Sequence, residues 1–400
     1  MASRFQDNVN TSALVALVGV GWMSIHAMYG LVFRNGYVDA LVRLRDHGPH
    51  VLPGTDHPIL TRFNGVPPLD KMLTLAGVMF SPVTDGSHPA ASLFGVYFGG
   101  QLVPIFTVLF IEGLRRGNVK KAVGQYDLLL SLFLFFSWSR PGADRARSML
   151  WGCAMQAFGY GLVMPIYAII HLFTSPTAAP RSTAFGEAVR PSDLALVRAL
   201  PAAMFFGYFV PTVMMVAPIP WNTLHQWLGG FWQGVPIFVA LSRHLIAGRQ
   251  QGDDKSRSSF SQDRHALRRV YSLTFTASAV VHWATIAVVA ARWLVPLWFP
   301  PSLRDTLTFT RVFVPPRWWA PGQMTSMGEG IHNFFQYDLY VGSAASLVWA
   351  MALRANALGV LRASGSRTRV LWDTTWQCAL AGPGGALVGI MRGRDEQLLA

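Results

Sequence analysis

Charge is scarce in this sequence of 400 residues: 13% are Asp, Glu, Lys or Arg, while 52% are hydrophobic. Ordinary soluble domains carry roughly 25% charged residues, so this composition could not cover the surface of a soluble protein. Cysteine is almost absent as well. Cys153 and Cys378 both lie in apolar stretches, which argues against a disulfide framework and favours buried thiols over a metal site.

Motifs of several enzyme classes are also missing. Enzymes that ionise a prenyl diphosphate hold Mg²⁺ with paired aspartates at four-residue spacing. Here only Asn35 and Asp39 have that spacing, without a second acid-rich box. The chain has no Gly-x-Ser-x-Gly elbow, no phosphate-binding P-loop and no haem or Cys-rich metal pattern. Diphosphate ionisation is therefore disfavoured, and we expect neither a metal nor a cofactor.

Long apolar runs dominate what is present. A membrane core of about 30 Å needs about 20 apolar residues in a helix, and the lack of two-residue alternation excludes a barrel. We therefore predict an all-α, polytopic transmembrane bundle of eight to ten helices in one integral-membrane domain, residues 1–400. The strong runs are Ala13–Phe33, Ala91–Ile111, Ala122–Trp138, Met149–Phe173, Pro201–Ala217, Trp227–Ile246, Val270–Phe299 and Phe335–Leu353; weaker ones are Met72–Val83 and Trp372–Met391.

The net charge of +13 sits mainly in short loops beside these runs. Residues 112–121, 243–269 and 354–371 are the most basic, and the positive-inside rule predicts that they face the cytosol. This placement explains the charge without a nucleic-acid partner. The polar loop at about 247–269 is expected to be flexible. We expect an integral protein of the endoplasmic reticulum membrane whose first helix is an uncleaved anchor.

Few acids lie in or beside the apolar runs. A carboxylate at mid-membrane costs roughly 2.5–3.5 kcal/mol, so it usually faces the bundle interior and has a function. Asp338 is accompanied by His332, Asn333, Gln336 and Tyr337 within one and a half turns. Burial favours the protonated form of a carboxyl, and those neighbours could orient it as a Brønsted acid. A polar helix end at the lipid headgroups is the alternative.

Three further acids have structural alternatives of their own. Glu112 ends a predicted span beside Arg115 and Arg116, and pairing with these arginines is the favoured interpretation. Asp127 enters an apolar run, where a catalytic and a structural role both stay open. Asp70 follows two prolines and opens a predicted helix, so N-capping would explain it.

Candidate substrate contacts come from the same polar cluster and from a turn with almost no charge, residues 218–225. In the cluster they are His332, Asn333, Gln336 and Tyr337, and in the turn they are Trp221 and His225. Aromatic rings stabilise cations through their quadrupole, which would suit a carbocation. Ordinary packing for Trp221 and interhelical hydrogen bonding for His225 are the alternatives.

Two short motifs carry a resemblance to a known family. They are Gly65-Val-Pro-Pro-Leu-Asp-Lys-Met-Leu73 and Gln336-Tyr-Asp-Leu-Tyr-Val-Gly-Ser-Ala-Ala-Ser-Leu-Val-Trp349. In these motifs, and in the order of features over most of its length, the chain resembles the larger membrane-integral terpene cyclases of fungal meroterpenoid and indole-diterpene clusters.

The resemblance implies a lipophilic, prenylated small-molecule substrate that meets the enzyme from the membrane lipid. It further implies cyclisation started by protonating a terminal epoxide or alkene, without a metal. Asp70 and Asp338 are the acids inside the matching motifs, whereas Glu112 and Asp127 are candidates by position alone. The alternative from another class is a membrane transporter or scaffold for small apolar metabolites. A transporter should show repeated halves and broken helices, and no strong sequence repeat is present.

Overall fold

The computed structural model describes residues 2–119, 143–178, 185–219, 222–250, 259–360 and 367–400. These residues form helices and loops, with two isolated β-bridges, Val51–Pro58 and Arg115–Pro191, and no strand among them. The all-α prediction is confirmed.

Two π-helical turns, Ile25–Tyr29 and Phe205–Phe209, and one 3₁₀ turn, Pro296–Trp298, lie between α-helices. The α-helices are α1 (Ala2–Ser24), α2 (Gly30–Arg34), α3 (Tyr37–Asp46), α4 (Pro67–Thr84), α5 (Pro89–Gly113), α6 (Arg116–Val119), α7 (Ala143–Phe158), α8 (Tyr160–Thr174), α9 (Phe185–Val189), α10 (Leu194–Met204), α11 (Val210–Val216), α12 (Asn222–Trp232), α13 (Val235–Gln250), α14 (Phe260–Leu294), α15 (Pro301–Thr306), α16 (Phe309–Phe313), α17 (Met327–Val360) and α18 (Arg367–Leu398).

Five helical segments of the described chain are long and apolar enough to cross a membrane. Each overlaps one of the predicted runs, which confirms a polytopic helical membrane protein. The total of eight to ten crossings stays a prediction, because the run 122–138 lies outside the described residues. The five segments are Val9–Arg34, Pro89–Gly113, Leu194–Val216, Phe260–Leu294 and Met327–Leu358.

Two predicted spans are each divided into two helices. The run 149–173 is interrupted at Gly159, whose φ of 79° ends α7 and leads into α8. Glycine lacks the Cβ that makes such backbone angles unfavourable for other residues. The run 227–246 is interrupted at Gln233 and Gly234, between α12 and α13. Pro236 follows in the first turn of α13, where its missing N–H costs nothing.

Both ends of the loop 247–269, which was predicted to be flexible, lie in helices. Helix α13 continues to Gln250, and α14 already begins at Phe260. A capping box fixes that start: the Ser259 hydroxyl accepts the N–H of Gln262, whose side chain accepts the N–H of Ser259. Asp263 is buried and forms an ion pair with Arg190 at 2.6 Å. Residues 251–258 lie outside the described part.

Helix α17 lies at the centre of the described bundle. It packs against α1, α8, α18, α5 and α4, and its long Trp349 side chain is almost fully buried. A second set of contacts joins α14 to α18 and α5, while α10 packs on α13. Because α17 has neighbours on several sides, a polar residue a third of the way along it can be enclosed by protein and kept from lipid. Asp338 occupies such a position.

Candidate active site

Asp338 lies deep in the bundle. It is about 16 Å along α17 from Met327 at 1.5 Å per residue. The residue is only 5% exposed. Its Oδ1 accepts a hydrogen bond of 2.5 Å from the backbone N–H of Gly161, in the first turn of α8. Asp338 is therefore enclosed by protein, and the alternative of a helix end at the lipid headgroups does not describe its surroundings.

The interruption at Gly159 creates this contact. A helix end leaves N–H groups on one side and carbonyls on the other without intrahelical partners. Asp338 accepts the N–H of Gly161 after the break, and the Tyr29 hydroxyl donates to the carbonyl of Phe158 before it. Both sides of the break thus receive a side-chain partner from another helical segment.

The two glycines of this break leave room for the carboxyl. A Cβ at Gly159 would lie 3.1 Å from the Asp338 Oδ1 and 3.1 Å from the Met28 Cε. A Cβ at Gly161 would lie 3.2 Å from the same oxygen and 2.7 Å from the Met28 Sδ. Larger residues at either position would displace Asp338 or Met28. The sequence Gly159-Tyr160-Gly161 therefore shapes the site as much as the acid does.

Asp338 differs from the other described candidate acids in its partners. Within the described residues it forms no ion pair, and the N–H of Gly161 is its one hydrogen-bond donor. The start of a helix favours negative charge through its dipole. The contact anchors one carboxyl oxygen, and the other accepts no hydrogen bond from the described residues.

The polar neighbours of Asp338 have a different role from the one expected. His332 Nε2 and Gln336 Nε2 both bond to the carbonyl of Val312, at 3.0 and 2.9 Å, and the Tyr337 hydroxyl donates to the carbonyl of Pro316 at 2.6 Å. These side chains hold residues 312–316, the end of α16 and the loop after it, against α17, and they bond to this segment instead of to Asp338. Asn333 is partly buried on the same helix.

Glu112 is part of a buried ion-pair network. Its carboxylate accepts hydrogen bonds from Arg115 Nε at 3.1 Å, Arg394 Nη2 at 2.6 Å and the Thr177 hydroxyl at 3.1 Å. Asp395 neutralises the second charge, pairing with Arg115 at 2.5 Å. The expected pairing with Arg115 is present, and it lies in the protein interior.

Two details of that network differ from the sequence interpretation. Arg116 pairs with Glu187 at 2.7 Å instead of with Glu112. His171 approaches the other face of Glu112, with 3.5 Å between Nε2 and Oε2. Because the Trp349 indole can only donate, its bond to His171 Nδ1 places the proton of a neutral His171 on Nε2, towards Glu112.

Asp70 organises the loop before α4. Its carboxylate accepts the backbone N–H groups of Asn64 at 2.8 Å and of Phe63 and Gly65 at 3.0 Å. These bonds, that of Asn64 foremost, hold the pKa of Asp70 below its usual value against the opposing effect of desolvation. The N-cap prediction is wrong in detail: Val66 is the N-cap, and Asp70 binds N–H groups that precede the helix.

The remaining candidates divide between described and undescribed residues. Asp127 and Trp221 lie outside the described residues. His225 lies in α12, where its Nε2 bonds to the carbonyl of Met215 at 2.7 Å, as an interhelical hydrogen bond would. Among the described residues, no three of His, Cys, Asp and Glu come together in a group that could hold a metal ion.

Sequence reasoning missed Tyr29, Gly159 and Gly161. Two glycines inside an apolar run are a recognisable signal for an interruption, and this signal could have located the partner of Asp338. Tyr29 carries no such signal, because its contact with Phe158 joins residues 129 positions apart.

Comparison with known proteins agrees with the resemblance. The CtvD domain family matches residues 12–136 and 142–399. "Terpene cyclase janA" of Penicillium janthinellum is 28% identical over 356 residues, 88% of this chain and 86% of that protein. "Terpene cyclase ascI" of Acremonium egyptiacum is 28% identical over 84% and 79% of the two chains, and "Terpene cyclase ctvD" of Aspergillus terreus is 27% identical over 83% and 84%. No solved structure matches. Since the family covers nearly the whole sequence, this chain belongs to the CtvD domain family.

Proposed function

We propose that this protein is a membrane-bound terpene cyclase. It would cyclise a farnesyl-type chain, carried by a meroterpenoid or related precursor, by protonation and without a metal. Several relatives that align with more than 80% of the chain are named terpene cyclases, and the bundle has five apolar helices of membrane-spanning length. A prenyl chain is lipid-soluble, so the substrate would enter from the bilayer, which we propose is that of the endoplasmic reticulum.

The environment of Asp338 is the observation that carries the protonation mechanism. A Brønsted acid needs a transferable proton and a free face towards its substrate. Glu112 is held by two guanidinium groups and Asp70 by three backbone N–H groups. Asp338 has a single backbone anchor and no ion pair among the described residues. We therefore assign proton donation to Asp338.

The reaction begins as the Asp338 O–H transfers its proton to the terminal alkene carbon or the epoxide oxygen. The π electrons of the next double bond then form a carbon–carbon bond, and with an epoxide a carbon–oxygen bond breaks at the same centre. Positive charge moves along the chain until the last cation loses a proton. A dry interior prevents early capture by water, and aromatic faces stabilise the cations. Tyr29, Phe334 and Phe335 lie around this part of the bundle, with Tyr29 and Phe334 5.8 Å apart.

A transporter is the second candidate. The interruption at Gly159 and the kink at Gly382, whose φ is 73°, resemble the broken helices that bind substrates in transporters. One assay with two possible outcomes distinguishes the cyclase from the transporter. Microsomes containing the protein are incubated with farnesylated phenols that bear either a terminal alkene or a terminal epoxide. A cyclic isomer of either substrate supports the cyclase. Unchanged substrate of both kinds that accumulates inside the vesicles supports the transporter.

A further inference from the structure

The carboxyl of Asp338 is closed to a substrate in this structure. The residue is only 5% exposed, and the helix break at residues 159–161 and the Met28 side chain lie against its carboxyl. A proton donor has to come within about 3 Å of the atom that it protonates. One of the groups around the carboxyl must therefore move before the end of a prenyl chain can react there.

Met28 is the neighbour that can move. A Cβ built on Gly159 would lie 3.1 Å from the Met28 Cε, and one built on Gly161 would lie 2.7 Å from the Met28 Sδ. Both positions are also within 3.2 Å of the Asp338 Oδ1, so the thioether and the carboxyl share one small space. The backbone of the break is held on both sides by hydrogen bonds, whereas an unbranched methionine side chain can turn about three bonds.

Met28 is held weakly where it lies. The Ser24 hydroxyl donates to its sulfur at 3.1 Å, and a thioether sulfur is a weak acceptor. Its apolar contacts belong to a small buried cluster that is separate from the main core of the described bundle. A separate cluster can open locally while the core stays packed. The buried members of this cluster are Ala27, Met28, Leu31, Tyr337 and Val341.

A wide helical turn connects Met28 with the outside of the bundle. Residues Ile25–Tyr29 form a π-helical turn, in which the N–H of Gly30 donates to the carbonyl of Ile25, five residues earlier. Such turns occur frequently at functional sites. Met28 is fully buried on this turn, whereas Ile25 is 54% exposed, and both belong to the long apolar segment Val9–Arg34. One helical turn therefore has a side towards lipid and a side towards Asp338.

We propose that Met28 is the gate of the acid, and that the terminal isoprene unit of the substrate binds in the place of its thioether. The Met28 side chain turns out of the space beside Gly159 and Gly161, and the alkene or epoxide end of the chain enters it against the Asp338 carboxyl. The entering group is apolar and similar in size to the side chain that it displaces. This inference rests on the proposed cyclase function and adds the position of the reacting end of the substrate.

Two substitutions distinguish a gate from an ordinary core residue. Met28→Ile has nearly the same volume but is stiff at its first side-chain torsion. It cannot turn away easily, so it should weaken substrate binding roughly tenfold. Met28→Ala leaves the space open and should bind the substrate at least as tightly as the wild type. If Met28 only packed the interior, the order would be reversed, because alanine removes more buried volume than isoleucine.

Equilibrium binding tests this order without requiring turnover. The full chain in detergent is titrated with a tritiated farnesylated phenol whose terminal double bond is reduced, so that it binds without reacting. Met391→Ile and Met391→Ala are the matched controls, because Met391 in α18 is also 0% exposed, and both should bind like the wild type. Thermal unfolding of each variant allows binding to be compared per folded molecule.

Each result then supports or contradicts the gate. Weaker binding by Met28→Ala than by Met28→Ile would overturn it, and so would a wild type that does not bind the ligand. If Met28→Ala does not fold, Met28→Ile that binds as tightly as Met391→Ile would still overturn it. The predicted order in a protein that forms no cyclic product from the unreduced substrate would contradict the cyclase function alone.

Discussion

The carboxyl of Asp338 and the backbone N–H of Gly161 meet at 2.5 Å, where the second half of a divided helix begins. This one hydrogen bond therefore positions the acid and also gives a partner to a backbone N–H at the start of α8, inside the bundle. An unpaired N–H in such an environment is costly, which gives Asp338 a structural value as well. Experiments on this residue must separate the two roles, and an amide side chain does so because it keeps the acceptor oxygen.

The helix break should depend on Gly159. Gly159→Ala places a Cβ in a backbone region that only glycine adopts easily, 3.1 Å from the Asp338 Oδ1. We expect it to cost about 1–3 kcal/mol of stability, seen as a lower thermal unfolding temperature in detergent. Gly248→Ala is the matched control, since it is helical and unhindered. An equal unfolding temperature for both variants would show that the break is not strained.

Glu112 should matter for stability more than for chemistry. Glu112→Gln leaves Arg115 and Arg394 buried with Asp395 as their only remaining carboxylate in the network. Removing one partner of a buried pair typically costs 3–5 kcal/mol. We expect little folded protein but ordinary turnover per folded molecule.

The control for Glu112→Gln is Glu187→Gln. The Glu187 side chain is 47% exposed and pairs with Arg116 and Arg190, so its loss should change stability by about 1 kcal/mol or less. Folded yield and turnover are measured together for both variants. A Glu112→Gln protein that is stable but inactive would transfer proton donation to Glu112.

The contrast between these acids explains what the sequence could predict. Long apolar runs predict where helices lie, because in lipid a helix pairs all of its own backbone N–H and C=O groups. Five of the predicted runs overlap helical segments of membrane-spanning length. Glu112 could be assigned an ion pair from its neighbour Arg115, since residues three apart share a helix face. Its partner Arg394 lies 282 positions away, and no local pattern encodes that contact.

The hydrogen-bond partner of Asp338 was likewise not encoded by its neighbours in the sequence. His332, Gln336 and Tyr337 are near Asp338 in sequence, but successive helical positions point in different directions. Those three side chains bond to the segment 312–316, which lies against α17. The actual partner, Gly161, belongs to a run that looked continuous. Proximity along a helix therefore identified a polar cluster without identifying its contacts.

Asp70 should stabilise the protein in a pH-dependent way. Its carboxylate accepts three backbone N–H groups, and its pKa in the folded protein is below the usual value. Its ionised form therefore adds stability above the unfolded pKa of about 3.9, and this is lost as pH falls through the lower folded pKa.

Unfolding of the wild type and of Asp70→Asn, measured over a range of pH, checks this prediction. The variant should have a lower free energy of unfolding than the wild type at pH 7, and this difference should disappear only below about pH 4. A difference in the free energy of unfolding that already disappears between pH 5 and 7 would mean that the three hydrogen bonds do not favour the carboxylate.

Turnover should not require a divalent metal. Paired aspartate boxes are missing from the sequence, and the proposed reaction begins with a proton instead of the loss of diphosphate. Cyclisation by microsomes should therefore continue unchanged when Mg²⁺ is chelated. Activity that disappears with the chelator and returns with added Mg²⁺ would contradict metal-independent protonation.

Proton donation by Asp338 is tested most directly by the turnover of Asp338→Asn at matched protein level. Asparagine keeps the oxygen that accepts the N–H of Gly161 but has no proton to donate as an acid. If Asp338 is the proton donor, the variant should accumulate normally and unfold at a temperature close to that of the wild type, with turnover reduced by about 10²–10⁴-fold, the usual contribution of general acid catalysis. Near-normal cyclisation by a normally folded Asp338→Asn protein would contradict it, because another group would then supply the proton.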